Sequence, residues 1–290
     1  MPGATGVRLA AEAEVRRRGW RPASSPGETG LLLICGEPGA ALDEAIETVW
    51  WAMPGPRAQV RVDAAAASAE IAEALDRAVI GLADVAAQRV AAGTRPAMGG
   101  WSPPARHEEH HMGAPAGLAM ADRAADRDGL TLDVLRVPLG PVLADWPAGL
   151  QVVMTLQGDV VQGAEVEVVG TGEGVAFWDE PWLAAREGRT VTSGAAARRL
   201  AAAHLDSVGR LLGVAGWPAA AARAGRLRDD VLVGRPAAEL TASYGAFARR
   251  IGRSRPLRWM IRDIGVIDDA VVDRFDLTGP AARHRGDVAA

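Results

Sequence analysis

Leu31, Leu32, Leu33, Ile34 and Cys35 form an unbroken apolar run of strand length, and together with the turn, helix and second strand after it this run constrains the fold more than any other part of the chain. A short apolar run without alternation is the pattern of a strand covered on both faces. It stops at the turn-forming Gly36, Glu37, Pro38 and Gly39, after which Leu42, Ile46, Val49 and Met53 recur at helical spacing until Pro54, Gly55 and Pro56 end the helix. Ala58 to Asp63 then alternates apolar and polar side chains as a second strand. Strand, helix and strand within residues 29–63 predict a parallel, right-handed βαβ unit, and so an α/β N-terminal domain.

A glycine-bearing turn after the first strand raises the question of a phosphate site, since backbone amides at a helix start can cradle an anion. Glu37 places a negative charge where the anion would sit, and the turn has neither a G-x-G-x-x-G spacing nor a lysine. It is read as a structural turn.

The bulk composition excludes several function classes. Formal net charge is -4 over 290 residues, which gives a nucleic-acid partner no electrostatic support. All 32 basic residues are arginine, a bias read as compositional and not functional. One cysteine, Cys35, permits no intramolecular disulfide and no cysteine-ligated cluster within the chain, so no cofactor is expected. No apolar run reaches the ~18–20 residues of a membrane span, and the N-terminus lacks the apolar core of a signal peptide. The expectation is a cytoplasmic protein that is not inserted in the membrane.

Residues before Gly19 have the composition of a short amphipathic helix. Between 67 and 92, Ile71, Leu75, Val79, Leu82 and Val85 form one helical stripe, read as a single amphipathic helix packed on the sheet. Residues 93–129 are rich in Pro, Gly, Met and His without a period and are read as a long linker. Within it, His107, Glu108, Glu109, His110, His111 and Met112 gather three imidazoles, two carboxylates and a thioether; His107, His110 and His111 are the candidate metal ligands, suited to nickel, copper or zinc.

The remainder predicts an α+β domain. Residues 131–169 are strand-like, with Gly158 and Asp159 marking a hairpin. Phe177, Trp178 and Trp182 lie in an aromatic loop. Three helices come next, from 194, over 219–232 and over 236–262, with His204 placed on the core face of the first. The last runs into Ser254–Ile267, where Arg255, Arg258 and Arg262 recur at spacings of three and four on one face and Gly265 suits a helix C-terminus. Cations so placed repel unless an anionic or carbonyl-rich surface meets them, which makes these arginines the candidate docking residues; the competing reading is a plain solvated face whose arginines suit the negative end of the helix. The expected organisation is an α/β domain over 1–92, the linker over 93–129, an α+β domain over 130–270 with a small sheet and a helical bundle, and a disordered tail over 271–290.

Three stretches carry a resemblance, in order. Ala23–Ala66 resembles the small cluster-bearing subunit of respiratory complex I, the NADH-quinone oxidoreductase, but Val62, Asp63, Ala64 and Ala65 stand where that family has GDCA and a cluster ligand. Leu139–Gly170 resembles the large quinone-site subunit of the same complex, a relative of the large subunit of nickel-iron hydrogenases, sharing Gly140, Pro141, Gly149 and the hairpin, while Leu143 and Ala148 replace its loop histidines. Ser254–Ile267 is similar to the large subunit's NRIFRERTRGIGVI, matching at Arg255, Arg258, Arg262, Ile264, Gly265, Val266 and Ile267, with Ser254 and Asp263 departing from it.

The resemblance implies a cofactor-free, degenerate complex I-like subunit, not catalytic alone. It would dock through Arg255, Arg258 and Arg262 on membrane-arm or antiporter-like ion-translocating subunits at the inner face of the cell membrane, in coupling or assembly. Two alternatives are a quinone-site subunit of a working respiratory oxidoreductase or hydrogenase, and a metal-handling accessory protein using the histidine tract.

Overall fold

A computed structural model describes residues 3–94, 122–125, 129–170 and 176–278, together with Ala282, Gly286 and Val288. It has an α/β layer at the N-terminus, then an antiparallel sheet and a helical bundle, as the sequence predicts. The chain divides into two compact units, 1–180 and 181–290, so the segment 130–270 contributes its strands to the first and most of its helices to the second.

The first unit opens with α1 (Thr5–Arg17), which ends before the left-handed Gly19. Strand β1 (Leu31–Cys35), helix α2 (Ala40–Ala52) and strand β2 (Ala58–Val62) form the βαβ unit, and the strands pair in parallel with Leu33 opposite Val60. The alternation of strand side chains sends Cys35, Val60 and Val62 to one face, where they are buried with Val7 and Ala11 of α1 and with Ile71, Ala74, Leu75 and Ala78. Ile34 alternates to the other face. The strand is less enclosed than its apolar run predicts: Leu31, Leu32 and Leu33 are half-buried, because among the described residues this sheet has two strands.

The single helix expected over 67–92 is two helices, α3 (Ser68–Ala83) and α4 (Val85–Gly93). Asp84 interrupts them: its backbone is extended and its carboxylate accepts from Ala87 N at 3.0 Å, the bond an N-cap makes to begin a new helix. The buried stripe is accordingly Ile71, Ala74, Leu75 and Ala78, while Val79 and Val85 are 42% and 59% exposed.

The stretch read as linker begins where expected but ends differently. Helix α4 reaches Gly93, and Asp122–Ala125 forms a strand, β3, paired antiparallel with β4 (Thr131–Leu139). The order is β3-β4-β5-β6, with β5 (Leu150–Gln157) and β6 (Val160–Val168) joined at the expected Gly158–Asp159 turn.

In the second unit, α5 (Glu180–Arg186) is followed by α6 (Ser193–Val214), α7 (Pro218–Val233) and α8 (Ala237–Gly252). Its core joins Leu205 and Leu212 of α6, Ala220, Ala224 and Leu227 of α7, Phe247 of α8 and Leu257. His204 is exposed and outside this core, correcting the sequence reading; the buried arc of α6 is Ala202, Leu205, Asp206 and Leu212. Small residues set that arc, since a Cβ on Gly209 would lie 3.4 Å from the Ala224 Cβ, so α6 and α7 meet along that line.

Candidate docking surface

The helix expected over 236–262 is also broken. Helix α8 ends at Gly252 and α9 (Arg255–Ile261) begins afresh, because Ser254 is extended and its hydroxyl accepts from Leu257 N at 3.3 Å, while Pro256 sits in the first turn where a missing N–H costs nothing. Leu257 is buried in the bundle core and Ile261, one turn on, packs partly against it. That seating turns the rest of α9 outward. Arg255 and Arg258 are exposed, Trp259 is 75% exposed and Met260 46%.

Arg258 folds back, donating from Nη2 to the Gly252 carbonyl at the C-terminus of α8, where a cation suits the unsatisfied carbonyls. Arg262 is the C-cap of α9. Its φ of -64° is still helical, so its side chain leaves the helix four positions after Arg258 as the spacing implies, and its ψ of 137° turns the chain away only beyond it. Asp263 comes next, in the left-handed region (φ 59°), at the position where the resembling family has glycine. Gly265, also left-handed (φ 60°), lies beyond the helix end and not at it. Ile267 makes both bonds of an antiparallel bridge to Gly286, at 2.8 and 3.1 Å, and Val288 N donates to Ile264 O at 3.0 Å. Part of the expected disordered tail is therefore ordered: it pairs with this run, and α10 (Asp269–Phe275) lies between. Ile264 and Val266 stay about half exposed.

The surface thus combines three arginines with four exposed apolar side chains, Trp259, Met260, Ile264 and Val266. Neither Arg255 nor Arg262 has an ion-pair partner among the described residues. Such a patch can receive a partner that offers carboxylates around an apolar centre.

A second apolar surface has no counterpart in the sequence reading. Antiparallel register places Val152 between Leu139 and Val166, Met154 between Val137 and Ala164, and Leu156 between Leu135 and Val161. Residues opposite each other share a face, so this side of the sheet is apolar across β4, β5 and β6 as far as the Arg123–Asp133 pair that joins β3 to β4, and Leu135, Val161, Val166 and Val168 are 54–68% exposed on it. The signal is present as period-two alternation in each strand, but only the register aligns the strands.

His107, His110 and His111 lie outside the described residues. Among the described residues no group of three or more His, Cys, Asp or Glu side chains is arranged to hold a metal ion. Cys35 is buried, and burial pushes its thiol up to about 11, which leaves it protonated and a poor ligand or nucleophile at neutral pH. No helix among the described residues is long and apolar enough to cross a membrane. No protein-family model matches the chain, and neither a curated protein nor a solved structure shows a significant similarity to it.

Proposed function

We propose that the protein is a docking subunit of a complex I-like assembly, acting in coupling or assembly and not by catalysis of its own, and that α9 with the run to Ile267 is its contact to an ion-translocating, membrane-arm-type partner. The observation that carries this reading is the placement of Arg255 and Arg258 on α9 and Arg262 at its C-cap, with Trp259 and Met260 exposed among them while Leu257 is buried and Ile261 half-buried in the bundle core. A large aromatic next to arginines is the composition of an interface anchor, whereas a solvated helix face has no use for an exposed tryptophan. The ordered resemblances supply the class of partner. In this reading the protein lies at the inner face of the membrane through that partner.

The test is reconstitution with antiporter-like membrane subunits and co-purification in detergent. The wild type is expected to be retained, and Arg258→Glu with Arg262→Glu to be lost. Retention of the charge-reversed protein, or no association of the wild type, defeats the proposal. Trp259→Ala is expected to weaken association about ten-fold or more, as truncating an interface anchor does.

A further inference from the structure

The two-stranded sheet is too narrow for what covers it. Helices α1 and α3 share one of its faces, both contributing to the cluster around Val60 and Val62. Helices packed side by side need roughly 8–10 Å, whereas two strands lie about 4.8 Å apart. One helix must therefore overhang, and it is α3, which leaves a groove of about 360 Å³ between itself and the outer edge of β2. The floor of the groove is Ala58–Arg61; its roof is Ala74, Ala78 and Gly81, at i, i+4 and i+7 on one helix face. The roof side chains are small, and a Cβ on Gly81 would meet nothing within 4 Å.

The edge itself is unfinished. Ala58 N donates inward to Gly30 O at 2.7 Å and Val62 O accepts inward from Gly36 N at 2.8 Å, so the alternation of a parallel ladder turns the N–H and C=O of Gln59 and Arg61 outward. Nothing among the described residues pairs with them. Two positions upstream, the same outward row is completed: the Gln88 side chain on α4 accepts from Arg57 N at 2.9 Å and donates to Arg57 O at 3.2 Å. One amide group there does for Arg57 what a neighbouring strand would do. The row is closed at that end and open at Gln59 and Arg61.

We infer that the edge of β2 beneath α3 receives a single extended strand of another polypeptide, in which acidic side chains alternate with apolar ones. An apolar side chain beside Val60 would enter the space under Ala74 and Ala78, and its two neighbours would lie on the opposite face beside Gln59 and Arg61. Arg61 is about half exposed, with Asp43 at 3.5 Å, and Arg77, with Glu73 at 4.0 Å, lines the mouth of the groove; each guanidinium meets its carboxylate through one nitrogen, so both keep further N–H donors for the carboxylates of an incoming strand. A second copy of this chain does not fit, because pairing two β2 edges would bring both overhanging α3 helices onto the same line. The inference is independent of the docking role given to α9.

Amide exchange read by NMR tests it, with short capped peptides of alternating glutamate and valine, or lysine and valine, as probes. In the isolated protein the Gln59 and Arg61 amides are expected to exchange fast while those of Val60 and Val62 are protected. The glutamate peptide should slow Gln59 and Arg61, and the lysine peptide should not. Gln59→Pro removes only an outward N–H and should weaken peptide binding roughly ten-fold. Arg61→Glu should invert the preference between peptides and does not depend on the proline variant folding. Protection of both amides in the isolated monomer would mean that the chain covers its own edge, and protection that grows with protein concentration would mean that a second copy does. Either result overturns the inference, as does no protection by either peptide at about 1 mM, where even weak binding registers.

Discussion

Arg228 of α7 places Nη1 2.5 Å from Oδ1 of Asp206 on α6, with both side chains buried at 4% and 9% exposure. Arg210 reaches the other Asp206 oxygen at 3.3 Å, and Arg228 also contacts Asp229 at 3.0 Å, so the pair is the centre of a four-residue network inside the α6–α7 contact. Removing one partner of a buried pair strands the other charge, at a cost of about 3–5 kcal/mol. Arg228→Met and Asp206→Asn are each expected to lose that much in denaturant titrations. The combined Asp206→Leu and Arg228→Met protein should regain most of it, because the fully buried charges are then gone and the two that lose these contacts, Arg210 and Asp229, are 25% and 18% exposed and can be hydrated.

Gly140 and Gly158 are both left-handed, with φ of 86° and 58°, but only the first is enclosed. A Cβ on Gly140 would fall 2.2 Å from the Leu150 carbonyl, which already accepts from Trp146 Nε1 at 2.8 Å, whereas one on Gly158 would meet nothing within 4 Å. Gly158→Ala should cost only the backbone term, about 1–2 kcal/mol. Gly140→Ala adds a backbone collision to it and should cost about 2–5 kcal/mol, measured as a loss of unfolding free energy.

Hydrogen bonds from Arg17 and Arg18 hold the Glu14 carboxyl well below its usual range, lowered from 4.5 to about 2. Because the folded value lies below the unfolded one, the stabilisation is complete above about 4.5 and is lost as pH falls towards 2. Arg18 also pins α1 to α3 through Asp76 at 2.6 Å and the Ala72 carbonyl at 2.9 Å. The wild type should lose more stability than Glu14→Gln across that window; equal losses in parallel melts would show that the contact contributes nothing.

The Cys35 thiol, raised by burial to about 11 from 9.0, should resist alkylation in the native protein. Its thiolate fraction near neutral pH is on the order of a hundred-fold below that of an ordinary thiol, before access is counted. Iodoacetamide labelling followed by mass spectrometry should be negligible without denaturant and complete in guanidinium. Rapid native labelling would mean that β1 opens readily.

Some of this architecture is legible residue by residue. Leu31–Cys35 reads as a strand because five consecutive apolar side chains suit two opposed faces, and Pro54, Gly55 and Pro56 end α2 because proline cannot continue a helix. The two unexpected helix breaks have a common reason. At Asp84 and Ser254 the apolar period continues across the break, and a capping side chain, not a change in hydrophobicity, stops the helix. The candidate site was legible in its residues and only partly in its geometry: Arg255 and Arg258 lie on one short helix with Arg262 at its C-cap, as their spacing implies, while the helix break at Ser254 and the turn of the chain after Arg262 left no mark in the apolar period.

What the sequence by itself determined is the order of elements, an α/β unit followed by strands and helices, because hydrophobic period and turn residues act over a few neighbours. What only the tertiary structure decided is which side of each element faces inward. On α6 the apolar period points Leu200, His204 and Val208 to the core, yet Leu200 and His204 are exposed and Asp206 is buried. The cause lies 15 to 22 residues away, where Ala224 packs close against Gly209 and Arg228 meets the Asp206 charge. A local pattern cannot register a partner that only folding brings near.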